Sequence, residues 1–520
     1  MNYELTCRIR EAMGFAPTPE QETAIRVFCQ FLTDDGERPV MVLRGCAGTG
    51  KTTLAAAFVR ALQSLGQKLV LLAPTGRAAK VFSLYSGTPA GTIHRRIYRQ
   101  RSAGDLSAFQ LNYNIAQDTL FMVDEASMIS LASNSSLGGD GNSMFGSGRL
   151  LDDLMEYVYS GRNCRLLLIG DRAQLPPVGE TESPALMADV LRSYYLRVYE
   201  TDLNQVLRQS EESGILWNAT RIRSLFSLNP SPSTLHPSPS TLHPSPSTLQ
   251  LPKVRFAGFP DIHIVRGDEL IDQLGSSYSR VGKDETIVIT RSNKRAVIYN
   301  RGIRNSVLGC EEELCYGDML MVVKNNYSIQ PTPTPPEGRG LDTPMAGKPG
   351  NGLGGSFIAN GDHAVVRRVR NEQQLYGFRF ADVTLTFPDY DDCELTATVL
   401  LDTLSTEAPA LTREQQTQLY EGVLADYADI RFKSERMKKL KEDRFYNALQ
   451  VKYAYAVTCH KAQGGQWAHV YVDQGYMTDD MLTPDYIHWL YTAFTRATEH
   501  LYLVNWPEKM VDSNLNNDIH

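Results

Sequence analysis

Gly45-Cys46-Ala47-Gly48-Thr49-Gly50-Lys51-Thr52 combines glycines, a lysine and hydroxyls at a spacing suited to phosphate. Glycine lets backbone N–H groups curl around an anion, and a helix start behind the loop adds partial positive charge. Lys51 would place a full charge on β- and γ-phosphates, and Thr52 can ligate Mg²⁺. A second cluster, Asp124-Glu125, ends the apolar run Leu120-Phe121-Met122-Val123. Asp124 suits a Mg²⁺ ion, directly or through water, and Glu125 suits a general base that polarises an attacking water. On its own such a pair also reads as a solvated strand end; with a phosphate loop upstream it reads as chemistry. A third strand end, Leu168-Ile169-Gly170-Asp171-Arg172-Ala173-Gln174, offers an amide to the γ-phosphate or its water, with a plain turn as the other reading.

These clusters need strands that deliver them to one edge. Residues 40–44, 68–73, 120–123, 165–169 and 195–199 are short runs of Val, Leu and Ile, continuous rather than alternating, as a parallel sheet buried on both faces requires. Helical patterns at 52–64, 77–84 and 149–159 separate them, which makes a doubly wound α/β region. A second α/β pattern starts at 262–265 and 286–290, with a helix near 294–304. It breaks off near 310 and resumes at Val451, with later strands at 469–473 and 500–504 around a helix at 487–498. The interruption holds short strands at 319–323, 364–368 and 383–386, a turn at Asn360-Gly361, and one long helix at 412–449 opened by a Thr412/Gln415 capping box. Pro-Ser-Pro-Ser-Thr-Leu-His occurs at 230 and 237, and again from 244 with Gln last; two prolines per seven residues forbid a coiled coil and imply an extended insert. Residues 133–148 and 331–355 read as glycine-rich loops.

The 520 residues carry 52 Lys and Arg against 59 Asp and Glu, a net charge of −7, with 42% hydrophobic residues. That composition excludes global disorder and a bulk polycation. It leaves nucleic acid open, because phosphate binding needs a basic stripe rather than a basic whole. No apolar stretch nears the ~18 residues of a membrane span. The first residues lack a signal-peptide pattern, so a cytoplasmic protein with no membrane partner is expected. Its 8 scattered cysteines are then expected to be reduced thiols.

Taken in order from about Thr18 to Val504, further segments resemble superfamily 1B helicases of the RecD-like and Dda-like group. Thr18-Pro19-Glu20-Gln21 resembles the glutamine motif that reads adenine. Ala73-Pro74-Thr75-Gly76-Arg77-Ala78-Ala79-Lys80 and Thr92-Ile93-His94 resemble single-strand contacts of the first domain, Asp124-Glu125-Ala126-Ser127-Met128 the group's Walker B form, and Gly170–Pro177 its third motif. Leu203-Asn204-Gln205-Val206-Leu207-Arg208-Gln209 resembles the fourth motif, and Thr290-Arg291-Ser292-Asn293 the segment after it. Thr458-Cys459-His460-Lys461-Ala462-Gln463-Gly464-Gly465-Gln466 resembles the fifth, and Tyr491-Thr492-Ala493-Phe494-Thr495-Arg496-Ala497 the sixth. Gln466 departs from the group's usual Glu, and the heptapeptide repeat is not a feature of the group.

The resemblance implies an α/β motor of two RecA-like parallel-sheet domains, with a small β-rich SH3-like accessory domain inserted in the second. Expected boundaries are 1–200 for the first motor domain, with a wedge or pin at about 86–117 for which Phe109 and Tyr113 are candidates. Residues 201–309 and 451–520 form the second, and 310–450 the insertion. ATP and Mg²⁺ are the implied cofactors. Nucleotide binding falls to Gln21, Gly45, Gly48, Gly50, Lys51, Thr52 and Thr53, metal to Thr52 and Asp124, and catalysis to Lys51, Glu125, Gln174, Arg208 and Arg496. The two arginines would be fingers from the second domain. Pro74, Thr75, His94, Asn293, Thr458, His460 and Lys461 are the expected DNA contacts, with the basic runs 291–304 and 95–101 beside them. The implied activity is ATP-dependent unwinding of single-strand-tailed and forked duplex DNA with 5′ to 3′ movement, by a monomer, in repair, recombination or replication. A translocase that strips bound proteins, or a phosphate-loop kinase, would carry part of the same pattern.

Overall fold

The computed structural model describes residues 2–102, 105–132, 144–145, 147–206, 212–228, 251–326, 358–390, 392–478 and 481–512. Arg208, the heptapeptide repeat, the 331–355 loop and most of the 133–148 loop lie outside them.

The first region runs α1 (Asn2–Met13), α2 (Pro19–Leu32), β1 (Pro39–Gly45), α3 (Lys51–Ser64), β2 (Lys68–Ala73), α4 (Gly76–Ser86), β3 (Ala90–Thr92) and α5 (Ile93–Ile97). It continues with β4 (Tyr98–Ser102), β5 (Asp105–Leu111), β6 (Thr119–Val123), β7 (Met144–Phe145), α6 (Leu150–Ser160), β8 (Arg165–Gly170), α7 (Ala188–Ser193) and β9 (Arg197–Leu203). Six of these strands form one parallel sheet in the order β3-β2-β6-β8-β1-β9. Every residue of β1 and β6 is buried, because helices cover both faces. One face packs Phe28, Phe58 and Met41; the other packs Val42, Phe121 and Leu154. The strand expected at 195–199 starts later and carries the sheet to Leu203. Tyr195 takes φ +59° in the preceding turn, a left-handed conformation that strands exclude. Strands β4 and β5 form an antiparallel hairpin inside the span expected for the wedge.

The second region runs α8 (Gly214–Leu228), β10 (Ile262–Val265), α9 (Leu270–Val281), β11 (Thr286–Thr290), α10 (Asn293–Gly302), β12 (Met319–Val322), β13 (His363–Leu375), β14 (Phe378–Phe387) and β15 (Cys393–Leu400). Then come α11 (Asp402–Ser405), α12 (Arg413–Asp426), α13 (Lys433–Glu442), β16 (Leu449–Tyr453), β17 (Ala456–Thr458), α14 (Cys459–Ala462), β18 (Trp467–Asp473), α15 (Pro484–Phe494) and β19 (Ala497–Val504). A second parallel sheet has the order β10-β19-β18-β11-β17. Strands β12 to β16 close a small barrel, where the SH3-like insertion is expected.

Two expectations need correction. Val451 does not resume the second sheet. It lies in β16, which pairs with β12 and β15 and completes the barrel, so the insertion extends past residue 450. Residues 412–449 are not one helix. The Thr412/Gln415 capping box does open α12. The chain then leaves helical geometry, and Phe432 caps α13 in extended backbone. The fold-back lets Leu419, Val423 and Leu440 share one apolar cluster with Phe380 and Leu400 of the barrel, which a straight helix could not do. All 8 cysteines are free. No helix among the described residues is long and apolar enough to cross a membrane.

Candidate functional site: a phosphate loop facing the second parallel sheet

The phosphate loop joins β1 to α3. Gly48 and Gly50 sit at φ +77° and +82°, where a side chain would strain the backbone. Gly50 is the N-cap of α3 and offers no side-chain cap, so the first N–H groups of the helix stay open to an outside acceptor. At Gly45 an added Cβ would come within 2.8 Å of the Lys51 side chain and of Thr49 Oγ1, so only glycine lets the lysine fold over the loop. Lys51 Nζ donates to the Cys46 carbonyl at 2.9 Å. Gln21 is fully buried. Its amide nitrogen lies 3.5 Å from the Thr49 carbonyl, and its amide oxygen accepts from Thr18 N–H at 3.1 Å in a capping box.

Asp124 and Glu125 leave the end of β6. Glu125 takes φ +52°, and its N–H donates to Asp124 Oδ1 at 2.8 Å. Burial raises the Asp124 carboxyl above the usual carboxylate range; Glu125 adds to the rise and Lys51 opposes it. Such a half-buried, crowded carboxylate suits a divalent cation, and both carboxylate and the hydroxyl of a residue such as Thr52 are hard oxygen donors of the kind Mg²⁺ takes beside phosphates. Gln174, after β8, is buried and sits between Glu125 and Arg496. With its amide turned so that both neighbours are satisfied, its nitrogen donates to Glu125 Oε2 at 3.2 Å and its oxygen accepts from Arg496 Nη2 at 3.2 Å. The structure thus brings Glu125, Gln174 and Arg496 into one line across two sheets.

Arg496 is itself buried. Its Nε donates to the Thr492 carbonyl at 3.1 Å and its Nη1 to the Gly465 carbonyl at 3.1 Å. The α15 helix carries more of this seam. Tyr491 is buried, accepts from Ala47 N–H of the phosphate loop at 2.9 Å, and donates to Asp171 Oδ2 at 2.7 Å. Thr492 Oγ1 accepts from Leu175 N–H at 2.8 Å, and Gln463 Nε2 donates to the Leu175 carbonyl at 2.7 Å. Tyr491, Thr492 and Asp171 were visible only as members of motifs. No local signal distinguished them, because their partners lie about 300 residues or more away in sequence.

Of the residues expected to face nucleic acid, Pro74 and Thr75 lie at another contact between the two halves. Thr75 caps α4, accepting from Ala78 N–H at 3.2 Å. An added Cβ on Gly464 would meet Thr75 Oγ1 at 3.1 Å, so the strand end holding Pro74 and Thr75 abuts the Thr458–Gln466 segment of the other half. Arg77 fixes that approach: its Nη2 donates to the Gln466 carbonyl at 2.9 Å, and its guanidinium stacks 4.3 Å from the Trp467 ring. Thr458 and Asn293 begin short helices after strands β17 and β11. His460 is exposed and Lys461 half-buried. Burial lowers the Lys461 ammonium to about 8. Half-buried His94 is lowered to about 4 by burial, so it is neutral at pH 7.

The basic runs are less available than their sequence suggests. Arg295 Nε donates to Asp473 Oδ2 at 3.0 Å, and Arg304 forms a buried pair with Asp318 at 2.9 Å. Arg95 stacks 3.9 Å from the Tyr390 ring of the barrel, and Arg99 4.3 Å from that of Tyr113. Lys294 and Arg301 remain exposed. The wedge candidate Tyr113 is 73% exposed just after β5, whereas the side chain of Phe109 lies outside the described residues.

Comparison with known proteins follows this division. Residues 17–138 match the model of an AAA domain, and residues 453–504 match the UvrD-like helicase C-terminal domain. The ATP-dependent RecD2 DNA helicase of Deinococcus radiodurans is 34% identical over 139 residues, 27% of this chain and 16% of that protein. The ATP-dependent DNA helicase dda of Enterobacteria phage T4 is 29% identical over 185 residues, 35% of this chain and 38% of that protein. The chain therefore aligns with less than half the length of either curated relative. A crystal structure of Pif1 helicase from Bacteroides in complex with ADP-AlF3 and ssDNA is 14% identical, with a TM-score of 0.44 over 96% of this chain and 95% of that one. By its motifs, its two family matches and the two curated relatives, the chain is similar to the RecD-like and Dda-like proteins of helicase superfamily 1B.

Proposed function

We propose that the protein is an ATP-driven motor that moves 5′ to 3′ on single-stranded DNA and separates duplex at forks. The observation that carries this reading is the line Glu125–Gln174–Arg496, which ties a candidate base beside the phosphate loop to a cation from the other sheet. Mg²⁺ held by Thr52 and Asp124 would neutralise charge on the β- and γ-phosphates. Lys51 and the open N–H groups of α3 bind those phosphates. Glu125 takes the proton of the attacking water, and Gln174 holds Glu125 and Arg496 in register. Arg496, joined by Arg208, stabilises the charge that builds on the γ-phosphoryl group. Both arginines come from the second half, so hydrolysis requires a closed cleft.

Closure also changes the distance between two grips. Pro74, Thr75 and His94 belong to the first half; Asn293, Thr458, His460 and Lys461 belong to the second. Backbone contacts of this kind ignore base sequence and weaken with salt. Advancing them alternately moves the protein along a strand, and DNA stacking resists by only ~1.4 kcal/mol per base-pair step. The names of the curated relatives favour DNA over RNA, and the polarity rests on the family.

The test is unwinding of forked duplexes with a 5′ or a 3′ tail, with and without ATP. ATP-dependent separation of the 5′-tailed substrate alone is the expected result. Separation on a 3′ tail only would overturn the polarity, and Lys51→Ala protein that still unwinds would overturn the motor. Turnover indifferent to oligo-dT would instead favour a kinase.

A further inference from the structure

Helix α8 bears no recognised motif, yet it lies on the phosphate loop. An added Cβ on Gly48 would come 3.2 Å from a Leu216 methyl of that helix. Seven residues on, about two turns, Arg223 projects from the same face. Its side chain meets the Cys46 thiol, the second residue of the loop, with Tyr491 and Asp171 in electrostatic reach. Arg223 Nη1 is buried without a hydrogen-bond partner. An unpaired buried donor on a charged group is costly and calls for an acceptor. Asp171 accepts from Ala173 N–H at 2.9 Å on Oδ1 and from Tyr491 at 2.7 Å on Oδ2, and it makes no bond to that nitrogen. The guanidinium therefore stands beside the mouth of a phosphate cradle with a donor to spare.

We propose that Arg223 is a further nucleotide-binding residue, a guanidinium from the second half that hydrogen-bonds the terminal phosphate of a bound nucleoside triphosphate at the Cys46–Ala47 side of the loop. This rests on the motor reading and deepens it. The planar fork of arginine suits a phosphate oxygen pair. It approaches from the loop side, whereas Arg496 approaches by way of Gln174, so the two cations flank the group transferred. A diphosphate has no terminal phosphate there, and Arg223 therefore distinguishes the nucleotide before hydrolysis from the one after it.

The full chain is tested as Arg223→Gln and Arg223→Met, the second keeping the apolar stem that packs α8. Affinities for ADP and for ADP with aluminium fluoride are measured by titration, and turnover is measured in saturating oligo-dT. The expected result is ADP affinity within about twofold of wild type, aluminium fluoride complex affinity lower by roughly 10- to 100-fold, and kcat lower by about 100-fold. Equal weakening of both ligands, or no loss for the aluminium fluoride complex, would overturn the proposal and leave Arg223 a packing residue. If either variant fails to melt cooperatively, the other decides. Absence of oligo-dT-stimulated turnover in wild-type protein would sink the motor reading, while the ADP-versus-aluminium-fluoride preference would still report on Arg223.

Discussion

Two strand-to-helix turns in this molecule share a topology and differ in what they leave open. The turn from β1 to α3 ends on Gly50, at φ +82°, with no side-chain cap. The turn from β11 to α10 ends on Ser292, at φ −142°, whose side chain accepts from Arg295 N–H at 3.3 Å. One helix start is unspent and the other is satisfied from within. Both sit at the carboxyl end of an internal strand of a parallel sheet, where ligands of such folds bind. The difference lies in a few residues rather than in the architecture. It leaves the first half with an open helix start, while the second presents groups such as Gln463, Tyr491, Thr492 and Arg496 to the first.

The comparison breaks most severely if the donor half is disarmed. Arg496→Ala should lower kcat in saturating oligo-dT by about 10³-fold. The loss should fall on turnover rather than on ADP binding, because Arg496 reaches the site through Gln174. ADP affinity that collapsed along with kcat would show that the arginine supports the fold of the cleft instead.

A gentler experiment converts one turn into the other. Gly50→Ser offers α3 a self-cap and forces a side chain onto φ +82°, a strain of about 1–2 kcal/mol. ADP affinity is expected to fall by roughly tenfold or more, the affinity equivalent of that strain and the occupied N–H group. The reverse change, Ser292→Ala, removes a cap worth about 1 kcal/mol. It should lower the melting temperature by a few degrees and leave ADP affinity alone. A nucleotide defect in Ser292→Ala would erase the distinction between the turns.

The candidate residues whose pattern is local were legible in the sequence. Gly45 to Thr52 and Asp124-Glu125 declare themselves because a loop and its flanking strand are contiguous. Residues that act across the interface were legible only as members of motifs. Gln174 could be named, but its place between Glu125 and Arg496 depends on how two sheets meet. Arg223 gave no signal, because an arginine on a helix is ordinarily a solvated one. The same cause explains where the reading overreached. Arg295 and Arg304 look like a basic track in one dimension, yet Asp473 and Asp318 arrive from elsewhere in the chain and claim them. The helix expected at 412–449 failed because propensity says nothing about where the barrel needs Leu440.

The smallest effect concerns the side expected to face the strand, where half-buried Lys461 is the second half's counterpart to the phosphate loop's Lys51. Burial holds the Lys461 ammonium at about 8, against an ordinary value of 10.5. Lys452 is likewise held at about 8, by burial and then by Lys461. The native state therefore releases these protons as pH rises through 8, while the unfolded chain keeps them until about 10.5. Between those values the unfolded state binds more protons, so both lysines make stability rise with pH. Affinity for a phosphate backbone should move the other way, since the neutral amine gives up a charge contact. Fluorescence anisotropy with oligo-dT at fixed salt should show wild-type affinity falling several-fold between pH 7 and 9. Lys461→Arg stays charged throughout and should flatten that profile. Parallel profiles for the two proteins would mean that Lys461 does not face the strand, and the grip of the second half would then rest on Asn293, Thr458 and His460.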